Sequence, residues 1–212
     1  MMMGSAYHQP QIATDYNEEF EGTDGYWYAE GDWAQGAPAG TVIDGAAAGS
    51  DAFVTNLSGN YSDATTSYLY SPCFDLSGLT NPQFSFDYHM FGLNMGDLTI
   101  QVSTDGINYT IISNSLITTN SNNPGLNPIS GQQQGSQTVA WRNQTVDLSD
   151  YDDSTIKLRI IGDTGSNYTS DLAIDNFNFT ADVATAGPNV ITQNITVNLD
   201  ATGNATITED AV

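Results

Sequence analysis

The sequence contains very few basic residues. Only three of its 212 residues are Lys or Arg, against 25 Asp and Glu, and the formal net charge is -22. The three are Arg142, Lys157 and Arg159. Three basic residues cannot neutralise a run of phosphates. The composition therefore disfavours nucleic acid and anionic membrane surfaces as partners.

Cysteine and long apolar runs are also scarce. The single cysteine, Cys73, excludes an intramolecular disulfide framework and any CxxC motif. No stretch approaches the roughly 18 apolar residues of a membrane helix, so we expect no membrane insertion. No charged segment followed by an apolar one opens the chain, and residues 1–12 are interpreted as a leader or a cloning remnant.

Catalytic motifs are missing as well. The only imidazoles are His8 and His89, and the sequence has no G-x-S-x-G, no H-E-x-x-H and no phosphate-binding glycine loop. Carboxylate pairs of the glycosidase type remain possible, but among 25 acids such pairs arise by chance. We therefore predict a protein that binds and is not an enzyme.

What the sequence does have is alternation of apolar and polar residues. It is clear over 83–91, where Phe84, Phe86 and Tyr88 alternate with polar residues, and again over 98–103. Gly, Asn and Asp punctuate these segments, and no window shows a helical period. The pattern predicts an all-β fold, a two-sheet antiparallel β-sandwich of the jelly-roll type.

One strand shows a change of phase. Leu172 and Ile174 share one parity, whereas Phe177 and Phe179 share the opposite one. A bulge at 175–176 would place all four in the core and redirect the Asp175 carboxylate.

Composition also suggests where the domain ends. A segment rich in Asn, Ser, Gln, Gly and Pro, 113–140, is predicted to be a long surface loop. We assign the sandwich to residues 13–182, and residues 183–212 to a linker and the truncated first hairpin of a following repeat, with its turn at 202–204. We therefore expect this domain to have the rest of a larger multidomain chain as a partner.

Several segments, in order and spacing, resemble the MAM domain of meprins, neuropilins and receptor tyrosine phosphatases. The resemblance covers roughly residues 18–180. The segments are EFEG at 19–22, Trp27, Trp33, LYSP at 69–72, FSFDYHMFG at 84–92, MGDL at 95–98, Trp141 and LAIDNF at 172–177. The tail QNITVNLDATGN at 193–204 is similar to repeats in surface proteins of Bacteroidetes.

The resemblance implies a jelly roll and a calcium site where the first acidic strand meets the last strand. Glu19, Glu21 and Asp175 match those elements, and Asp44 or Asp51 could complete the ligand shell of oxygens that calcium prefers. Two departures stand out. The cysteines of the animal members are absent, and the family's closing Asp-Asp pair is Asp-Asn here, at 175–176.

Aromatic residues cluster near the start of the domain. Tyr26, Trp27, Tyr28 and Trp33 offer planar surface for stacking on sugars or aromatic groups. Rings of this size also dominate protein cores, so the cluster is interpreted either as a ligand-binding surface or as core.

Together these features predict a non-catalytic, calcium-stabilised adhesion or interaction module of a larger secreted or cell-surface bacterial protein. Its partner would be an extracellular protein or a glycan. The alternative is a carbohydrate-binding module appended to a polysaccharide-degrading enzyme.

Overall fold

Strands account for nearly all regular structure in the computed structural model, which describes residues 11–13, 15–118, 125–184 and 198–204. Two short 3-10 helices, Asn114–Leu116 and Ser149–Tyr151, complete it. Neither of these helices has the length or the apolar character needed to cross a membrane. The strands are Gln11–Ile12 (β1), Tyr16–Glu18 (β2), Tyr28–Glu30 (β3), Ala34–Gly36 (β4), Ala52–Val54 (β5), Thr66–Asp75 (β6), Leu79–Gly92 (β7), Asp97–Ser103 (β8), Thr110–Ile111 (β9), Ile129–Ser130 (β10), Arg142–Asp147 (β11), Thr155–Asp163 (β12) and Ser170–Val183 (β13).

The strands form two sheets. Sheet A has the order β1-β6-β12-β8-β10, with β3 also paired to β6 and β9 to β8. Sheet B has the order β11-β7-β13-β5-β4, with β2 also paired to β13. Pairing is antiparallel except for β1, where Gln11 and Ile12 run parallel to β6 opposite Cys73 and Phe74. The predicted two-sheet sandwich is confirmed, with one short parallel pair added to it.

The core lies between the two sheets and follows the predicted alternation. Phe84, Phe86 and Tyr88 of sheet B face Leu69 and Ile160 of sheet A, and all five are fully buried. Burying a side chain of this size contributes roughly 1.5–3 kcal/mol. The hydrophobic effect therefore fixes which face of each strand points inward.

The predicted change of phase in β13 is confirmed. Its pairing with β7 shifts between Asp175 and Asn178, and Asn176 adopts a positive φ of 50°. Because of this bulge, Phe177 enters the core, where its ring centroid lies 4.8 Å from that of Trp27. Asp175 consequently points to the outer side of sheet B.

The outer side of sheet B is itself covered. Ile43 packs there with Ala52, Val54 and Ala173 in a second buried apolar cluster, against which Trp141 also packs. The segment 37–51 thus forms a third layer over part of this sheet. The outer side of sheet A has no such cover among the described residues.

Two buried amides anchor the segment predicted as a surface loop. Asn127 accepts from the Ile100 N–H at 2.8 Å and donates to the carbonyls of Ile100 and Ile112 at 2.8 and 2.9 Å. Gln134 accepts from the Met90 N–H at 2.8 Å and donates to the Tyr88 carbonyl at 3.0 Å. The segment is therefore tied into both sheets, and only 119–124 lies outside the described residues.

The first and last strands of the sandwich meet at one turn. Ile12 pairs with Phe74 at the end of β6, Val183 pairs with Leu79 at the start of β7, and the Ala184 N–H donates to the Gly78 carbonyl at 2.9 Å. The sheets thus include two residues that we assigned to the leader and one that we assigned to the linker.

The turn predicted in the tail is present. The Gly203 N–H donates to the Asp200 carbonyl at 3.0 Å, and the Asp200 N–H donates to the Asn204 carbonyl at 2.8 Å. Most of the predicted hairpin strands, 195–197 and 205–208, lies outside the described residues.

Replacing the Asn127 side chain should destabilise the sandwich strongly. Asn127→Ala removes the acceptor of the Ile100 N–H and a donor to the Ile100 and Ile112 carbonyls, of which the first still accepts from the Ile112 N–H at 3.1 Å. We expect a loss of about 2–4 kcal/mol in unfolding free energy. Chemical denaturation measures this. Gln132→Ala, at an exposed position of the same segment, is the control and should change stability by less than about 0.5 kcal/mol. Equal effects of the two variants would contradict the anchoring role.

Candidate functional site

Two of the predicted calcium ligands bind one loop. Glu21 accepts from the Ser50 and Asp51 N–H groups at 2.6 and 2.8 Å. Asp175 accepts from the Ala47 and Ala48 N–H groups at 2.8 and 3.0 Å. Glu21, in the bend after β2, and Asp175, in β13, therefore bind adjacent parts of the segment 47–51.

The two carboxylates differ in their surroundings. The backbone N–H groups of Asp51 and Ser50 lower the pKa of the exposed Glu21. Burial raises the pKa of Asp175 to about 6, although its backbone donors act in the opposite direction. No cationic side chain contacts Asp175 among the described residues, so its charge is compensated only by N–H dipoles.

The remaining predicted ligands lie less centrally. Asp51 accepts from the Ser50 hydroxyl at 3.1 Å, whereas Asp44 accepts from the Gln137 amide at 2.6 Å and Glu19 is exposed. Across the described ranges, no three His, Cys, Asp or Glu side chains are grouped as a metal site would need. The structure thus brings Glu21, Asp51 and Asp175 to one loop and leaves Glu19 and Asp44 outside that arrangement.

The covered side of sheet B holds two further titratable groups. Asp171 is 2% exposed, accepts only a long hydrogen bond of 3.4 Å from the Thr55 hydroxyl, and has its pKa raised by burial to about 7. His89 is fully buried, and neither ring nitrogen makes a hydrogen bond of normal geometry to any described residue. Burial lowers its pKa, although the nearby backbone groups of Val139 and Ser136 act in the opposite direction. Both lie beneath the covering segments, out of reach of a large ligand.

The predicted aromatic surface divides into two parts. Trp27 and Trp33 are 3% and 4% exposed, so their assignment to ligand binding is wrong and the core alternative is correct. Trp33 lies against β12 at Gly162, where a Cβ would come within 3.0 Å of its ring. Tyr26 and Tyr28 are 61% and 55% exposed, and Tyr28 belongs to a larger aromatic surface.

That surface is the outer side of sheet A, and we name it the tyrosine–arginine face. Four tyrosines and two basic residues form it: Tyr28, Tyr68, Tyr70, Tyr109, Lys157 and Arg159.

A straight row crosses this face from strand to strand. Tyr28 of β3 pairs with Tyr70 of β6, Tyr70 with Arg159 of β12, and Arg159 with Gln101 of β8. The Tyr28 and Tyr70 rings stack with centroids 6.0 Å apart, and Tyr68 and Tyr70 stack at 6.2 Å. Strand pairing alone thus aligns residues from four distant parts of the chain.

Cation–π contacts hold the basic side chains on the rings. The Arg159 guanidinium carbon lies 4.1 Å from the Tyr109 ring centroid and 5.1 Å from that of Tyr68. Lys157 Nζ lies 5.5 Å from the centroid of Tyr70. Each such contact contributes about 0.5–1 kcal/mol at an exposed site, so the group is ordered before any ligand arrives.

Hydrogen bonds complete the arrangement. Arg159 donates from Nε at 2.9 Å and from Nη2 to a single oxygen, Oε1 of Gln101. At the other end of the row, the hydroxyls of Tyr28 and Tyr70 donate to the Glu30 carboxylate at 3.3 and 3.4 Å. The negative charge of Glu30 raises the pKa of Tyr28, and burial raises that of Tyr109 to about 12.

Neither cation of this face has an anionic partner among the residues that the structure describes. Within the described residues, no carboxylate oxygen lies within 4.0 Å of Lys157 or Arg159. Partial burial lowers the pKa of Lys157. Two of the three basic residues of a chain with 25 acids thus stand on an open aromatic surface, with no counter-ion from the part of the chain that the structure describes.

Sequence reasoning identified only Tyr28 of this surface. The signal for the rest is present in two short runs, Tyr68-Leu69-Tyr70 and Lys157-Leu158-Arg159, where a buried leucine separates two outward residues. The sequence alone does not predict that β6 and β12 are neighbouring strands.

Comparison with known proteins agrees with this fold. The family model for the MAM domain (meprin/A5/mu) matches residues 18–183. The chain belongs to the MAM domain family.

Solved structures with a similar fold include two cleaved adhesin domains of Lys-gingipain. One matches with a TM-score of 0.50 at 16% identity, covering 79% of this chain and 99% of the adhesin domain. Another, from Porphyromonas gingivalis, matches with a TM-score of 0.54 at 15% identity, covering 80% and 99%. A xylan-binding domain from Paenibacillus barcinonensis matches with a lower TM-score of 0.47 at 14% identity, covering 84% and 99%. At these identities the two adhesin domains show the shared fold.

The buried Asp171 should make stability depend on pH. Because its pKa is about 7 in the folded state, above its ordinary value of 3.8, the folded protein holds this proton more tightly than the unfolded chain. Stability from this group is therefore present at low pH and is lost as pH rises through 7. Asp171→Asn keeps an oxygen for the Thr55 hydroxyl and removes the charge. We expect it to raise the unfolding free energy at pH 8, by about 4 kcal/mol at most, and by progressively less toward pH 4.

Denaturation of wild type and variant across this pH range measures the difference. Asp152→Asn, at an exposed acid, is the matched control and should show no such trend. A gain of equal size at pH 8 and pH 4 would show that burial does not perturb Asp171.

Proposed function

We propose that this MAM domain is a non-catalytic extracellular interaction module that binds glycan through the tyrosine–arginine face. The observation that carries the proposal is the ordered row of Tyr28, Tyr70, Arg159 and Gln101 across an uncovered sheet. Membership of the MAM family supports the role of an interaction module. The domain would act in a secreted or cell-surface protein.

Glycan suits this surface because of its shape and chemistry. Tyrosine rings present flat apolar area on which the C–H side of a sugar ring stacks, and their hydroxyls supply hydrogen bonds at the edge. Neighbouring strands are about 4.8 Å apart, so the row spans about 15 Å from Tyr28 to Gln101. That length accommodates several sugar units, which favours a polysaccharide over a single sugar.

Two cellular uses share this surface. Adhesion to a glycan-coated surface is the first, and the adhesin domains of Lys-gingipain, which have the same fold, support it. The second is to hold an attached polysaccharide-degrading enzyme on its substrate. The tyrosine–arginine face would serve both, and the domains joined to this module would decide between them.

Replacing Tyr70 should weaken glycan binding without unfolding the domain. Tyr70 stacks on both Tyr28 and Tyr68, so Tyr70→Ala removes the centre of the aromatic surface. We expect affinity for glycans selected on an array to fall about tenfold or more, equivalent to about 1.4 kcal/mol. Isothermal titration calorimetry measures it. Tyr168→Ala, at a tyrosine 53% exposed in another loop, is the control and should bind as wild type.

Two results would contradict the proposal. One is that the Tyr70→Ala and Tyr168→Ala proteins bind glycan equally well. The other is that the wild-type domain binds no glycan and instead binds a protein through another surface.

We also propose that calcium stabilises this module at the loop 47–51. Glu21 and Asp175, with Asp51 and the loop carbonyls, would supply the oxygen ligands that calcium prefers. In support, a cation would compensate the buried Asp175 charge, which no basic residue offsets in the described structure. Calcium here would have a structural role only.

Calcium should raise the melting temperature, and Asp175 should be required for the effect. A ligand present at 100 times its dissociation constant stabilises the native state by about 2.7 kcal/mol, so the midpoint should rise by several degrees between chelator and calcium. We expect Asp175→Asn to lose this rise, while the exposed Asp152→Asn retains it. Identical midpoints for wild type with calcium and with chelator would reject the calcium proposal and leave the glycan proposal unaffected.

A further inference from the structure

The basic residues of this protein are distributed in an unusual way. With 25 acids and three basic residues, every cation could have a carboxylate partner. Lys157 and Arg159 have none within 4.0 Å in the described part of the chain, although they lie two residues apart on one strand and on one face. Two unpaired positive charges therefore stand together on the surface where we propose that glycan binds.

These cations are also partly removed from water. Lys157 and Arg159 are both half-buried, and their charged groups rest on the rings of Tyr70 and Tyr109. A cation in such surroundings is less well hydrated than a free side chain, so a negatively charged ligand gains more by contacting it. An anionic group on the ligand would supply the counter-charge that the described residues do not provide here.

The contacts of Arg159 indicate which anion fits. Its Nε and Nη2 both donate to one oxygen of Gln101, a planar carboxamide that lies on the edge of the guanidinium. Arginine also binds planar carboxylates along such an edge, with two parallel N–H groups donating to the two carboxylate oxygens. A ligand carboxylate can take the same position with a full negative charge, or can contact Nη1, for which the described residues provide no acceptor.

We propose that the glycan bound on the tyrosine–arginine face is acidic, a polysaccharide whose sugars carry carboxylate groups, with one carboxylate at Arg159 and a second at Lys157. The proposal rests on the glycan function above and specifies its substrate class. Sugar rings stack on Tyr70 and Tyr28, while the carboxylates point toward β12. Along an extended strand, residues two apart are separated by about 6.6 Å, so the two cations contact groups that are well separated on the ligand.

Glu30 sets the direction in which such a ligand lies. Its carboxylate holds the hydroxyls of Tyr28 and Tyr70 at the β3 side of the row, opposite Arg159. A carboxylated sugar is repelled on that side and attracted on the β12 side. The row therefore has a neutral to negative end for sugar hydroxyls and a positive end for acidic groups.

The test compares one oligosaccharide with and without its charge. The probes are hexagalacturonate and its fully methyl-esterified form, which has the same rings but no carboxylate, together with hexamannuronate and a sulfated oligosaccharide of similar length. Calorimetry is done with the full chain at 0.15 M salt, where screening confines the repulsion from the remaining acids to about 8 Å. Short oligomers avoid the gels that long acidic polymers form with calcium.

Arg159→Met and Lys157→Met are the variants, because methionine keeps the apolar stem and removes the charge. We expect each to weaken binding of at least one acidic oligomer about five- to tenfold, the loss typical of one hydrogen bond to a charged group. Binding of the methyl ester should be at least tenfold weaker in wild type and unchanged by either substitution. Arg142→Met is the control, since Arg142 lies in sheet B and donates to Gln133; it should bind as wild type.

The other outcomes separate this proposal from the glycan function. If the ester or another neutral glycan binds as tightly as the acids and Tyr70→Ala abolishes that binding, the face binds neutral glycan and the acidic class is wrong. If the sulfated oligosaccharide binds best, the charge requirement stands but the assignment to carboxylate is overturned. If no acidic, sulfated or neutral oligosaccharide binds, the glycan function itself fails.

Discussion

The antiparallel ladder between β7 and β13 is the constraint on which the rest of the structure depends. These are the two longest strands, 14 residues each, and they lie side by side in the middle of sheet B. Their inward residues form much of the core, and their outward residues include His89, Asp171 and Asp175. Because of the bulge after Asp175, the apolar residues of β13 point into the core both before and after this irregularity.

Once that ladder is formed, the two outer surfaces of the sandwich become different in kind. Sheet B carries acids on its outer side and buries them beneath the segment 37–51, which Glu21 and Asp175 hold in place through backbone N–H groups. Sheet A carries rings and cations on its outer side and leaves them open. Among the described residues, buried carboxylates without basic partners and cations without acidic partners thus lie on opposite sides of a dry core. A bound cation would compensate the carboxylates on the sheet B side, and an anionic ligand would compensate the basic residues on the sheet A side.

Much of this architecture follows from local pattern in the sequence. Alternation at 84–90 and at 98–102 correctly predicts which apolar residues enter the core, because the inward face of a strand is a property of that strand alone. It does not predict that the polar residues His89 and Thr99, on the opposite faces, are buried too. The phase change between Ile174 and Phe177 predicts the bulge for the same reason. The family resemblance also predicts the sandwich.

The parts that sequence reasoning missed depend on contacts between distant segments. Nothing near Asn127 in the chain indicates that its amide will bond to Ile100 and Ile112, so a polar segment was predicted to lie on the surface. Composition likewise could not separate buried Trp27 from exposed Tyr28. The tyrosine–arginine face joins residues from β3, β6 and β12 with Tyr109, and only the strand order brings them together.

The meeting of Ile12 and Val183 beside the β6–β7 turn has a mechanical consequence. When a chain enters and leaves a domain at the same end, the rest of the domain projects to one side of the line that joins its neighbours. Tension along the polypeptide then acts at that end and is not transmitted through most of the sandwich. Force pulling on neighbouring domains would first separate the short pairing of β1 with β6 and the last residues of β13 from β7. The centre of sheet A, with its row of rings, would stay flat under such a load. Mechanical strain and the tyrosine–arginine face would then be located in different parts of the fold.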